Sequence, residues 1–141
     1  MRLTVTQARA LVERTMEALG HDAGEAAIIA DHLIDCELRG LGYGGLPRAL
    51  SICERFARLG NRRKPIRVSH ETRVSALVEG GDNLGYLVGH RAMSIAIDKA
   101  RESGIAVVGA NDTWYTGMLA YFAEMAAKAD LVSMIASNAT P

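Results

Sequence analysis

Two short stretches carry residues whose types and spacing could do chemistry. The first runs Arg39-Gly40-Leu41-Gly42-Tyr43-Gly44-Gly45-Leu46-Pro47-Arg48, the second Asn111-Asp112-Thr113-Trp114-Tyr115-Thr116-Gly117. The planar guanidinium of Arg48 could clamp a carboxylate with two parallel hydrogen bonds; a solvated surface arginine is the alternative. The glycines from 40 to 45 permit a backbone to come close to a small ligand or another subunit, and they equally suit a flexible corner. They make a poor phosphate cradle, because they follow a helical pattern rather than a strand and lack a P-loop lysine. Tyr115 could hand a proton to a developing alkoxide, although a phenol is a poor base at neutral pH. An aromatic lid packing the loop is the simpler reading of Trp114 and Tyr115. His32 and Cys36 share a helix face near Asp31 and Asp35, but no further ligand cluster follows, so packing is expected there and no metal site. His21, His70 and His90 read as surface residues.

These stretches need elements to hold them. Helical spacing predicts helices over 6–19, 23–39 and 46–59. Thr6 is the expected cap of the first, and Asp22 with Glu25 forms a capping box for the second. Pro47 suits the first turn of the third, where no backbone donor is required. The apolar positions expected to be buried include Leu11, Val12 and Met16, then Ile29 and Leu33, then Leu50, Cys53 and Phe56. After the basic connection Asn61-Arg62-Arg63-Lys64-Pro65 the pattern changes. Ile66–Val68 and Val74–Val78 read as strands, Glu79–Asn83 as turn chemistry, and Leu84–Glu102 as a long helix. Ile105–Val108 is the next strand, 117–128 a helix and Leu131–Ser137 a last strand. The fold class is therefore α/β (α+β), a three-helix segment at 1–62 packed with a mixed β-β-α-β-α-β unit at 63–141. An alternating pattern of this kind usually continues, so the chain is expected to be the front portion of something longer or one half of an assembly.

Composition narrows the classes. The 141 residues are 49% hydrophobic and 23% charged, with sixteen basic residues against sixteen acidic ones. That balance exerts no global pull toward nucleic acid or an anionic membrane. The start shows no signal peptide, and no window reaches the roughly 18 apolar residues of a membrane span. Cys36 and Cys53 read as buried thiols in a reducing compartment, and a cytoplasmic protein is expected.

Several segments together resemble a known family. They are Asp35 to Arg48, Gly60 to Pro65, Gly81-Asp82-Asn83-Leu84-Gly85 ahead of Ala92-Met93, Lys99 to Ile105, and Asn138-Ala139-Thr140-Pro141. Their order and spacing resemble the N-terminal part of the malate/L-lactate dehydrogenase family, which is unrelated to the Rossmann lactate dehydrogenases. Family members carry Ser-His-Gly-Val-x-Arg where this chain reads Tyr43-Gly44-Gly45-Leu46-Pro47-Arg48, so Gly44 occupies a histidine position. They also carry an Asn-Ser-x-His-type loop whose histidine is the acid/base. Registering on Gly117 and Tyr121-Phe122 puts Tyr115 there, and a shift of one residue puts Trp114 there.

The resemblance implies an NAD- or NADP-dependent oxidoreductase acting on a small 2-hydroxy or 2-oxo acid or a cyclic imine carboxylate. It implies Tyr115 as the catalytic residue, Arg48 and Gly44 at the substrate, and Asn138, Ala139 and Thr140 near the cofactor. Partners would be a carboxylate substrate and a second copy of the chain, or a C-terminal polypeptide that completes the fold. The replaced histidines keep a second reading open, a non-catalytic scaffold or binding subunit derived from the same family. An unrelated small-molecule binding domain is the third, since fold alone does not fix function.

Overall fold

Local capping sets the first helices. In the computed structural model, which describes residues 3–138, Thr4 and Gln7 exchange side-chain hydrogen bonds with each other's backbone amides at 3.2 and 2.9 Å. This capping box starts helix α1 (Val5–Ala18), so the cap is Thr4 and the expected Thr6 lies inside the helix. The earlier pair satisfies two orphan amides at once, which a lone threonine at 6 cannot do. Helix α2 (Ala23–Leu38) starts at the box formed by Asp22 and Glu25, as its sequence indicates. Helix α3 (Pro47–Leu59) begins on its proline and ends at Gly60.

The chain divides into two compact units at the Arg62/Arg63 junction. In the first, Ala8, Val12 and Met16 of α1 are buried, as are Ala26, Ile29, Ala30 and Leu33 of α2, and the two helices pack together. Two expectations fail there. Leu11 and Leu50 are exposed, and α3 buries Ile52 instead. Ile52 and Leu50 flank one broad apolar face of α3, and tertiary packing buries the Ile52 flank. His21 is also not a surface residue. Its ring is buried, packs at a tilt against Phe56 at 5.8 Å between centroids, and its Nδ1 lies 3.0 Å from Glu25 Oε2.

The second unit is a three-stranded sheet in the order β1-β2-β3, with two helices. Strand β1 (Arg67–Glu71) runs antiparallel to β2 (Ser75–Leu84), and β3 (Val107–Trp114) runs parallel to β2. A parallel pair needs a crossover, which helix α4 (Gly85–Ser103) supplies before helix α5 (Leu119–Ala127) follows. Ala76, Val78, Val88 and Ile95 form the core between sheet and α4, with Ile66, Ala92 and Val108 against it. Lys99 reaches from α4 to Glu71 at 2.8 Å and to the Thr72 carbonyl at 2.7 Å.

Two segments differ from their expected form. Residues 79–83 do not end β2 as a turn. The strand continues through them with a register shift against β3 between Glu79 and Asn83, where Gly81 and Asp82 have φ of 59° and 56°. Residues 131–137 form no strand. They join no ladder among the described residues, and Val132 and Met134 are fully exposed. A β pattern becomes a strand only where another strand supplies its hydrogen bonds.

Candidate functional site

The α2–α3 corner is built around Glu37. Its Oε2 accepts the Leu46 amide at 3.0 Å, capping α3, which has no cap from its own side chains. That carboxylate comes so close to Gly45 that a Cβ there would meet it, and would lie 3.2 Å from Glu37 Cα and Cβ. A side chain at 45 would therefore have to displace that carboxylate. Gly44 differs: a Cβ would find only ordinary contacts, to the Leu41 carbonyl at 3.6 Å and Cys36 Sγ at 3.7 Å. The structure thus leaves room at position 44 for the start of a side chain. Arg48 stands beside it, and its Nη2 donates to the Tyr43 carbonyl at 3.2 Å. Gly44 and Arg48 share this one corner of the first unit.

Tyr115 lies in the second unit, immediately after β3. The strand expected at Ile105–Val108, with Trp114 in the loop after it, instead runs from Val107 through Trp114, so Tyr115 marks the carboxyl end of a parallel strand. Ligands of open α/β sheets gather at such ends. Tyr115 has a φ of 54°, in the left-handed region that a bulky residue rarely adopts. Its ring packs edge-on to Trp114 at 5.1 Å, and the residue is 38% exposed. The backbone behind it is pressed against the start of α4, where a Cβ on Gly85 would lie 2.6 Å from Thr116 Cα and 3.0 Å from the Tyr115 carbonyl carbon. Only glycine permits that approach.

Asn83 organises the neighbouring backbone, and reading 79–83 as turn chemistry overlooked it. It is buried, and its Nδ2 donates to the carbonyls of Lys64 and Gly80 at 2.7 Å each and of Gly81 at 3.4 Å. Arg63 Nη1 donates to its Oδ1 at 3.3 Å. Its own carbonyl accepts from Thr113 Oγ1 at 2.8 Å, and the Asp82 carbonyl accepts from Trp114 Nε1 at 3.0 Å. The available signal was an asparagine two residues after a glycine pair, between the apolar run 76–78 and Leu84.

A cleft of about 530 Å³ opens beside this segment, lined by Lys64, Pro65, Arg67, Glu79, Gly81, Asn111 and Asp112. Its charges are mixed, and Arg67 is already paired with Glu79 at 3.0 Å. Asn138 is exposed on the extended 131–138 stretch, whereas Ala139 and Thr140 lie outside the described residues. His32 is fully buried in the first unit, and burial pushes its imidazole down to about 4, against the raising effect of Asp35 and Asp31. Cys36 is buried and Cys53 half-buried; both are reduced thiols. Among the described residues no group of three His, Cys, Asp or Glu could hold a metal ion.

Comparison with known proteins gives this geometry its context. The family model of malate/L-lactate dehydrogenase matches residues 3–141. The chain belongs to the malate/L-lactate dehydrogenase family. It is 31% identical to a malate/(S)-sulfolactate dehydrogenase of Methanothermus fervidus, over all of this chain and 42% of that protein. It is 34% identical to a malate dehydrogenase of Pyrococcus horikoshii over 92% of the chain and 36% of the relative. An Escherichia coli ureidoglycolate dehydrogenase, whose name specifies NAD(+), is 27% identical over all of the chain and 41% of its own length. The crystal structure of Pyrococcus horikoshii malate dehydrogenase superposes with a TM-score of 0.85 at 33% identity, covering 91% of this chain and 37% of that one. The fold is thus the N-terminal part of the family's α/β fold. The chain spans about two fifths of the length of these relatives. Among the described residues no helix is long and apolar enough to cross a membrane.

Proposed function

We propose that the chain is part of a nicotinamide-dependent oxidoreductase that interconverts a small 2-hydroxy acid and its 2-oxo acid, or reduces a cyclic imine carboxylate. The observation that carries this reading is the match of nearly the whole chain to the family, at a TM-score of 0.85 to a malate dehydrogenase. Tyr115 holds the transferable proton at its Oη, at the exposed carboxyl end of a parallel strand. Arg48 binds a substrate carboxylate from a corner where Gly44 leaves the backbone open.

A bound nicotinamide cofactor would donate the hydride as NADH or NADPH in reduction and accept it as NAD+ or NADP+ in oxidation. Asn138 offers an exposed amide, the functional-group set that pairs with a nicotinamide carboxamide. The cleft beside β2 carries no net positive charge for a pyrophosphate, because Glu79 and Asp112 offset Lys64 and Arg67 on its lining. The phosphates are left to a polypeptide that completes the fold, or to a second copy of the chain. The setting of such an enzyme is a reducing, cytoplasmic one.

Titration with NADH and NADPH, followed through Trp114 (the only tryptophan), tests cofactor binding; saturable quenching is expected. Tyr115→Phe should then lower NADH-dependent reduction of oxaloacetate by about 10²–10⁴ while leaving the titration unchanged. Unaltered turnover would remove Tyr115 from the role of acid.

A second reading, a non-catalytic scaffold, draws on one specific observation. None of the four histidines, at 21, 32, 70 and 90, lies in either chemical stretch. Failure of both nucleotides to quench Trp114, with or without a completing polypeptide, favours it.

A further inference from the structure

A strained residue holds its conformation only where its surroundings over-determine it. Tyr115 is such a residue, and the groups that fix its loop converge on one buried side chain. Asn83 spends both amide protons on backbone carbonyls, those of Lys64 and Gly80, and the second of these lies inside the irregular part of β2. That segment is thereby locked in a form that aims the Asp82 carbonyl at Trp114 Nε1 and the Asn83 carbonyl at Thr113 Oγ1. Two residues on, Gly85 abuts the backbone of Tyr115 and Thr116. Residues 82, 83 and 85 thus grip 114, 113 and 115–116 respectively.

We propose that Asn83 is the positioning residue of the Tyr115 loop: its amide sets the β2 irregularity whose carbonyls hold Thr113 and Trp114, and through them the Tyr115 ring. The proposal rests on the role given to Tyr115 above. Its chemistry is specific to an amide. An aspartate keeps the size and the acceptor toward Arg63 but cannot donate to three carbonyls, and an apolar side chain of similar shape leaves those carbonyls unsatisfied.

The test compares Asn83→Ala and Asn83→Asp with Val88→Ala, a truncation in the core of the same unit. Global stability is measured by urea, and amide exchange and acrylamide quenching of Trp114 report the loop. Both Asn83 variants should speed exchange across 113–116 by about tenfold beyond Val88→Ala at matched global stability, the loss expected for one buried hydrogen-bond network. Quenching of Trp114 should rise in parallel, and kcat for NADH-dependent oxaloacetate reduction should fall while KM holds. If Asn83→Ala does not fold, Asn83→Ser, which keeps one donor, is read in its place and should fall between. Exchange at 113–116 no faster than in Val88→Ala, or an Asn83→Asp protein with a native loop, overturns the proposal. Exchange needs no turnover. A chain without NADH-dependent activity therefore sinks the oxidoreductase reading while the loop measurement still decides the role of Asn83.

Discussion

Acid should destabilise the first unit through one side chain, His32. Its imidazole titrates near 6.5 when the chain is unfolded and at about 4 when folded, because burial penalises the charged ring. The folded state therefore favours the neutral form. The stability that goes with it is fully present above pH 6.5, declines as pH falls toward 4, and changes no further below that. A drop of this size corresponds to about 3 kcal/mol at the acid limit. At pH 5.0 proton binding favours the unfolded chain by a factor of about 30, or about 2 kcal/mol, and at pH 7.5 the effect is negligible.

Urea unfolding followed by helical circular dichroism at pH 7.5 and 5.0, on the unsubstituted chain and on His32→Leu, isolates this contribution. Surface carboxylates titrate in both proteins and cancel in the difference. The stability gap between the two should move by about 2 kcal/mol toward the leucine variant as pH drops. A gap constant to within about 0.5 kcal/mol would show that the ring is solvated or protonated in the fold, and would refute the argument.

Other outcomes follow from close contacts. Gly85→Ala should drive a methyl into the backbone of Tyr115 and Thr116, costing about 1–3 kcal/mol in urea unfolding and shifting Trp114 emission, because backbone cannot swing aside as a side chain can. Gly45→Ala should evict the Glu37 carboxylate from the start of α3 and cost about 1–2 kcal/mol, whereas Gly44→Ala should be tolerated within about 0.5 kcal/mol; thermal melts of the pair check the contrast. The Lys99 ammonium holds the Glu71 carboxyl below its ordinary value, so Lys99→Met should raise the Glu71 titration midpoint in a carboxyl-carbon NMR titration.

Features set by neighbours in sequence were legible, and features set by distant partners were not. Asp22 with Glu25 and Pro47 with Gly60 mark real helix ends, since their hydrogen bonds and backbone angles are satisfied within a turn. Spacing alone could not choose between Leu50 and Ile52, because both flank the one broad apolar face of α3. His21 looks like an exposed residue at a helix edge until Phe56, thirty-five residues on, covers it. The two glycines before Asp82 read as a stop, yet Lys64 and Trp114 convert that stretch into a bent strand. Tyr115 was recognisable as a strand-to-helix position, though its left-handed backbone was not, because the groups packed on it, Gly85 among them, come from the end of β2 and the start of α4. The family itself could be read from the order of many weak segments rather than from any one of them.

The outer edge of β3 pairs with no strand among the described residues, and Val107 on it is largely exposed, as is Ile105 just before it. Such a border is adhesive: its outward amides and carbonyls recruit any extended chain that arrives, a sister molecule included. The bare Val132 and Met134 add an apolar strip that water disfavours. A concentrated preparation of this polypeptide by itself should therefore gel or precipitate into intermolecular sheet, and mild detergent or a charged residue at 107 should keep it dispersed.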